Sequence, residues 1–137
     1  VGWVLDECER TGRDPSTFRF IHYSVLLPGA SRAEALAGYR EALWAMQWKY
    51  SDMEAAATRP LPPPSPPAFD RPDDALLRSS RAVVAGTPAE LVEALLDLRS
   101  RAGVPVDFVA RSYLSLLELD AQLELMGILA EEVAPHV

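Results

Sequence analysis

Apolar residues recur along this chain at two periods, helical and extended, and the two alternate in order. Val1, Val4, Leu5 and Cys8 lie at helical spacing, and Gly12 is placed to stop that helix in a left-handed cap. This pattern, with no initiator methionine before it, reads as a chain that begins inside a helix. Asp14 and Pro15 mark a turn. Phe18 to Leu27, FRFIHYSVLL, is nearly continuous in apolarity and rich in aromatic and β-branched residues. Its length, closed by Pro28 and Gly29, predicts a strand buried on both faces, as in a parallel sheet. Ser31 and Glu34 have capping-box spacing and open a helix. Its stripe is Leu36, Tyr39, Leu43, Met46, Tyr50 and Met53. Trp44 and Trp48 lie one turn apart beside that stripe, as packing residues or as walls of a ligand pocket.

Seven of residues 59–72 are proline, so this segment is expected to be extended chain without helix or ladder. It reads as a semi-rigid surface excursion, with PxxP recruitment as the alternative. Asp73 or Asp74 caps a predicted helix running through about Val84. Thr87, Pro88 and Glu90 then sign a helix start. Leu91, Leu95, Leu98 and Ala102 mark its buried face, widened by Val92 and Leu96. Arg99 and Arg101 suit the C-terminal end of its dipole, and Gly103 is the stop. Val106 to Ser112 is the second predicted strand. A last helix is predicted over about Asp120 to Ala134, apolar at Leu123, Met126, Ala130 and Val133. The expectation is an α/β domain over residues 1–137 with two strands and about five helices. Two parallel strands leave open edges and uncovered faces, so the sheet is expected to be incomplete on its own and to need an oligomer or a complementary chain.

Composition narrows the partners. The net charge is −7, with 20 acidic against 13 basic residues, the wrong sign for a phosphate backbone or an anionic membrane surface. No apolar run approaches the roughly 20 residues of a transmembrane helix. A single cysteine, Cys8, excludes an internal disulfide and fits a reducing, cytoplasmic setting. No base is near it in sequence, which favours a packing role over a nucleophilic one.

Candidate chemistry is sparse. There is no metal-ligand cluster, Walker loop, GxGxxG fingerprint or GxSxG elbow. His136 lies at the C-terminal end of the chain and is expected to be solvated. His22 sits mid-strand, either as a packed, hydrogen-bonded histidine or as a ligand or base. Gly86 and Thr87 would offer free amides to an anion at a helix N-terminus, although the capping box already accounts for them. In parallel α/β sheets, ligands meet the C-terminal ends of strands. Of the two such ends only Ala110 to Leu114 is polar. There Arg111, followed by Ser112 and Tyr113, is placed either to hold a phosphate or carboxylate or to make a structural ion pair. Asp107, at the opposite end of that strand, reads as structural.

Four short phrases recur together: Gly86-Thr87-Pro88, Ala102-Gly103-Val104, Arg111 in the final strand, and Glu131 to Pro135 (EEVAP). With GRDP before the first strand, they resemble the C-terminus of the luciferase-like flavin monooxygenases, which include deazaflavin-dependent oxidoreductases. The resemblance spans nearly the whole chain, and the proline-rich stretch departs from it. It implies the last third to half of a TIM (β/α)8 barrel, with Phe18 to Leu27 and Val106 to Ser112 as its seventh and eighth strands. It also implies FMN or the deazaflavin coenzyme F-420 at the barrel mouth, redox chemistry on a small organic substrate, and Arg111, Ser112, Tyr113 and His22 as candidate binding residues. The alternative is a non-catalytic partial barrel that serves as a subunit or scaffold by pairing with another chain.

Overall fold

In the computed structural model, which describes residues 1–56 and 83–137, the long apolar run of the sequence is the centre of a sheet. β1 (Phe20–Pro28) lies between β2 (Val83–Gly86) and β3 (Val106–Arg111), and both neighbours run parallel to it. α1 (Gly2–Thr11) precedes the sheet. α2 (Arg32–Gly38) and α3 (Arg40–Ala56) follow β1, and α4 (Pro88–Ala102) joins β2 to β3. α5 (Leu119–Ile128) follows β3 and runs into a π-helical turn, Leu129–Val133, and a 3-10 turn, Ala134–His136. The described residues thus form a mixed α/β fold with five α-helices and a three-stranded parallel sheet.

The apolar pattern predicts two strands, and the sheet has three. Val83 and Val84, predicted as the end of a helix from Asp73 or Asp74, belong instead to β2. Their pairing with Val25 and Leu26 is non-local, and it gives a four-residue segment the ladder that it could not make alone. The rest of that predicted helix and the proline-rich residues 59–72 lie outside the described residues. The helix opened by Ser31 is also two helices. Tyr39 leaves helical geometry (φ −100°, ψ 9°) directly after Gly38, a residue of low helix propensity, and the chain restarts at Arg40.

The strand order is β2–β1–β3. Consecutive winding, as in a barrel, would place β2 between β1 and β3. Here the crossover from β2 to β3 carries the chain back past β1, the order that begins a doubly wound sheet.

Side-chain alternation divides the sheet. Register pairs His22 with Phe108, Ser24 with Ala110 and Leu26 with Val84, so these share one face. Ile21, Tyr23, Val25 and Leu27 share the other with Val109, Arg111 and Ala85. The expectation of burial on both faces holds only from Ser24 to Pro28. Ile21 and Tyr23 are exposed, as is Val109 beside Tyr23, because the described helices cover only the C-terminal half of that face. The core gathers Leu27, Leu43, Leu91, Leu114 and Leu125, all fully enclosed. Each such leucine contributes roughly 1.5–3 kcal/mol by leaving water.

Helix faces follow the same logic with two shifts. Leu91 and Leu95 of α4 are buried as the spacing predicts, whereas Leu96 is exposed. On the last helix, Leu125, Leu129 and Val133 face the core, while Leu123 and Met126 are exposed. That helix is apolar around most of its circumference, so periodicity does not say which side packs, and the π turn at Leu129 changes the phase. α1 buries only Cys8 and ends at Gly12 in the left-handed conformation (φ 65°).

Candidate functional site

Because all three strands are parallel, their C-terminal ends form one rim: Pro28 and Gly29, Gly86 and Thr87, and Arg111 to Tyr113. The Gly29 N–H donates to the Gly86 carbonyl (2.9 Å) and ties two of these ends together. α2 and α4 both begin at the rim, capped by the Ser31 and Thr87 hydroxyls, each of which accepts a backbone N–H.

At α4 the capping box is complete. The Glu90 N–H donates to Thr87 Oγ1 (3.3 Å), and Glu90 Oε2 accepts from the Thr87 N–H (2.8 Å) and from its hydroxyl (3.2 Å). The Glu90 carboxylate therefore stands where an anion at this helix N-terminus would bind. A β-carbon at Gly86 would lie 2.6 Å from that carboxylate, so glycine keeps room for the cap. Gly86 and Thr87 serve capping, and the helix end is already filled by the chain's own negative charge.

The third strand end is different. Arg111, half-buried, is in register with Val25, and its Nε donates to the Tyr113 carbonyl (3.2 Å). This bond folds the guanidinium back over the strand end. Ser112 is half-buried and Tyr113 is 67% exposed. Fully buried Leu114 anchors the segment that carries all three, and Leu116 beyond it adopts a positive φ of 73°. Arg111, Ser112 and Tyr113 are therefore together at the C-terminal end of β3, a group that begins beside Val25, three residues before the end of central β1. In sheets of this strand order, the crevice between β1 and β3 is where ligands bind.

His22 is not part of this group. It lies three register steps before the Val25–Arg111 pair, roughly 10 Å along the strand, and on the other sheet face. Its ring meets Phe108 edge-on at 6.2 Å, and its buried Nε2 has no hydrogen-bond partner among the described residues. The predicted hydrogen-bonded strand histidine is thus packed without a bond at Nε2. Asp107 is structural, as its position implies: the Arg19 guanidinium donates to Asp107 Oδ2 (Nη2 2.5 Å, Nε 2.9 Å) and links the starts of β1 and β3. Cys8 is buried at 3% exposure. Trp44 and Trp48 are half-buried on α3, and Trp44 Nε1 and Gln47 Oε1 are buried without partners among the described residues. His136 is exposed.

Two features carry no sequence motif. The Ser24 hydroxyl, on a residue 2% exposed, has no hydrogen-bond partner among the described residues, and its only signal is a serine inside an apolar strand. Arg99, expected as a helix-end cation, also lies over the Phe108 ring at 5.1 Å. Among the described residues no group of three or more His, Cys, Asp or Glu could hold a metal ion, and no helix is long and apolar enough to cross a membrane. No known family model and no curated protein matches this chain.

Proposed function

We propose that the chain is the C-terminal portion of a flavin-dependent oxidoreductase that binds FMN or a deazaflavin at the rim formed by Arg111, Ser112 and Tyr113. The observation that carries the reading is a half-buried arginine at the C-terminal end of β3, next to the central strand of a parallel sheet. Arg111 would hold the phosphate by charge-assisted hydrogen bonds, Ser112 adds a hydroxyl, and the exposed Tyr113 ring offers a flat apolar wall. These groups suit the phosphate end of such a cofactor. The N-terminus of α4 does not, because Glu90 fills it. The flavin supplies hydride transfer or oxygen activation, and the protein's share is to bind and orient.

The partial TIM barrel belongs to the same proposal. With β1 and β3 as the seventh and eighth strands of a barrel, their parallel pairing would be kept, and β2, on the other edge of β1, would have to yield that edge to a sixth strand when the earlier strands are supplied. The observed order, 2-1-3, favours a second reading in which the rim belongs to a doubly wound sheet and needs no such exchange. The uncovered face at Ile21, Tyr23 and Val109 favours the non-catalytic alternative, a subunit completed by another chain.

Titration of FMN fluorescence, with the chain alone and mixed with an N-terminal half-barrel, separates these readings. Saturable quenching by FMN, weaker for riboflavin and weakened about 10- to 100-fold by Arg111→Ala, is expected for a phosphate held at the rim. Binding by the chain alone favours the doubly wound reading, and binding only in the mixture favours the barrel. If neither sample quenches FMN or a deazaflavin, the oxidoreductase reading is lost.

A further inference from the structure

On the sheet face away from Arg111, an open-mouthed cavity of about 260 Å³ lies between β1, β3, α4 and the C-terminal turns. Its walls are apolar: Leu26, Leu95, Phe108, Leu129 and Val133. Its cation is Arg99.

Arg99 is held in an unusual way. Its guanidinium rests over Phe108, 5.1 Å from the ring centroid, and its one acceptor among the described residues is the Val106 carbonyl at 3.5 Å, the limit of a hydrogen bond. Arg101, two residues on, pairs with Asp97, and Asp107 at the cavity edge is engaged by Arg19. Arg99 has no carboxylate partner among the described residues. A guanidinium has five N–H donors, so most of those of Arg99 are left for solvent or a ligand. A second unfilled group lies near the cavity without lining it. Ser24 shares this face, is in register with Ala110 of the lining, and keeps a buried hydroxyl without a partner among the described residues.

We infer that this cavity binds a small amphipathic monocarboxylate, with its chain among Leu95, Leu129 and Val133 and its carboxylate on Arg99. The cation–π contact fixes the guanidinium plane, which suits the two parallel bonds a carboxylate accepts. The volume lies just below the usual range for small-molecule sites, so the occupant is short. This site shares no residue with the Arg111 rim and does not depend on the flavin reading.

The test uses hexanoate and 1-hexanol, equal in chain length and different in charge, read by methyl NMR on the full chain. Hexanoate is expected to shift the Leu26, Leu95 and Leu129 methyls saturably, and hexanol to bind about tenfold or more weakly. Arg99→Met keeps an apolar side chain over Phe108 and is expected to abolish that preference for the acid. Leu129→Phe fills the cavity and is expected to remove both ligands while the remaining spectrum stays native, which keeps the test decisive should Arg99→Met fail to fold. Arg111→Ala is expected to leave hexanoate binding unchanged. Equal binding of acid and alcohol, no saturable shift, or a preference that survives Arg99→Met overturns the inference.

Discussion

Gly29 lies directly under Ala35, so close that a β-carbon at position 29 would stand 2.9 Å from the nitrogen, Cα and Cβ of Ala35. Two of these three atoms are backbone, and Ala35 is itself 2% exposed, so α2 has no flexible side chain that could yield. Gly29→Ala must therefore push α2 away from the rim and strain the bond from Gly29 to Gly86. Overpacking of this kind is expected to destabilise the fold by about 1–3 kcal/mol, read as a lower urea midpoint at constant slope. An unchanged midpoint would mean that α2 is free to lift from the sheet.

The start of α4 tests a purely local interaction. Thr87→Ala removes the hydroxyl that accepts the Glu90 N–H and is expected to cost about 1 kcal/mol, whereas Thr87→Ser keeps most of that stability. Thermal unfolding of the three proteins checks the order. Equal melting temperatures for the alanine and serine variants would show that the cap contributes nothing here.

The contrast between these two sites explains what the sequence makes legible. Thr87, Pro88, Glu90 and Gly103 bound α4 through contacts within one turn of chain, so four letters suffice to place it. The end of β1 at Pro28, the cap at Ser31 and the rim position of Arg111 are legible for the same reason. β2 is not, because Val83 to Gly86 becomes a strand only by pairing with Val25 to Pro28, and nothing within four residues announces that partner. Nor does any local signal say that β3 joins β1 and not β2. The separation of His22 from Arg111 is a consequence of register and of period-two alternation across the sheet. The exposed Ile21 and Tyr23 show the limit of apolarity as a burial signal: the run predicts a strand, and the helices available decide how much of it is covered.

Tyr39, at the break between α2 and α3, is half-buried against the core, and burial, with the Glu124 charge second, holds its phenol pKa above the ordinary value. The neutral phenol is the form the fold favours. Its contribution is thus fully present below the unfolded value, near pH 10, and is lost as pH rises through the raised folded value. A phenylalanine at this position cannot ionise, so the urea midpoint of Tyr39→Phe is expected to fall less between pH 9 and pH 11 than that of the parent. Glu124→Gln removes the smaller cause and is expected to give an intermediate slope. Parallel profiles for parent and Tyr39→Phe would show that Tyr39 ionises as freely in the fold as in the unfolded chain.

The phase of α5 gives the sharpest test of the packing at the chain's C-terminal end. Leu123 and Leu125 are two residues apart on a helix that is apolar around most of its surface, yet Leu125 is 1% exposed and Leu123 is 56% exposed. Leu125→Ala opens a cavity among enclosed neighbours and is expected to cost about 2–5 kcal/mol. Leu123→Ala removes surface already in water, and its effect is expected to stay within about 0.5 kcal/mol. The helical spacing read from sequence places Leu123 inward and therefore requires the reverse order. Denaturant midpoints of the two variants decide between the phases, and a larger loss for Leu123→Ala would mean that the helix rotates to bury that side, as it would against a partner chain.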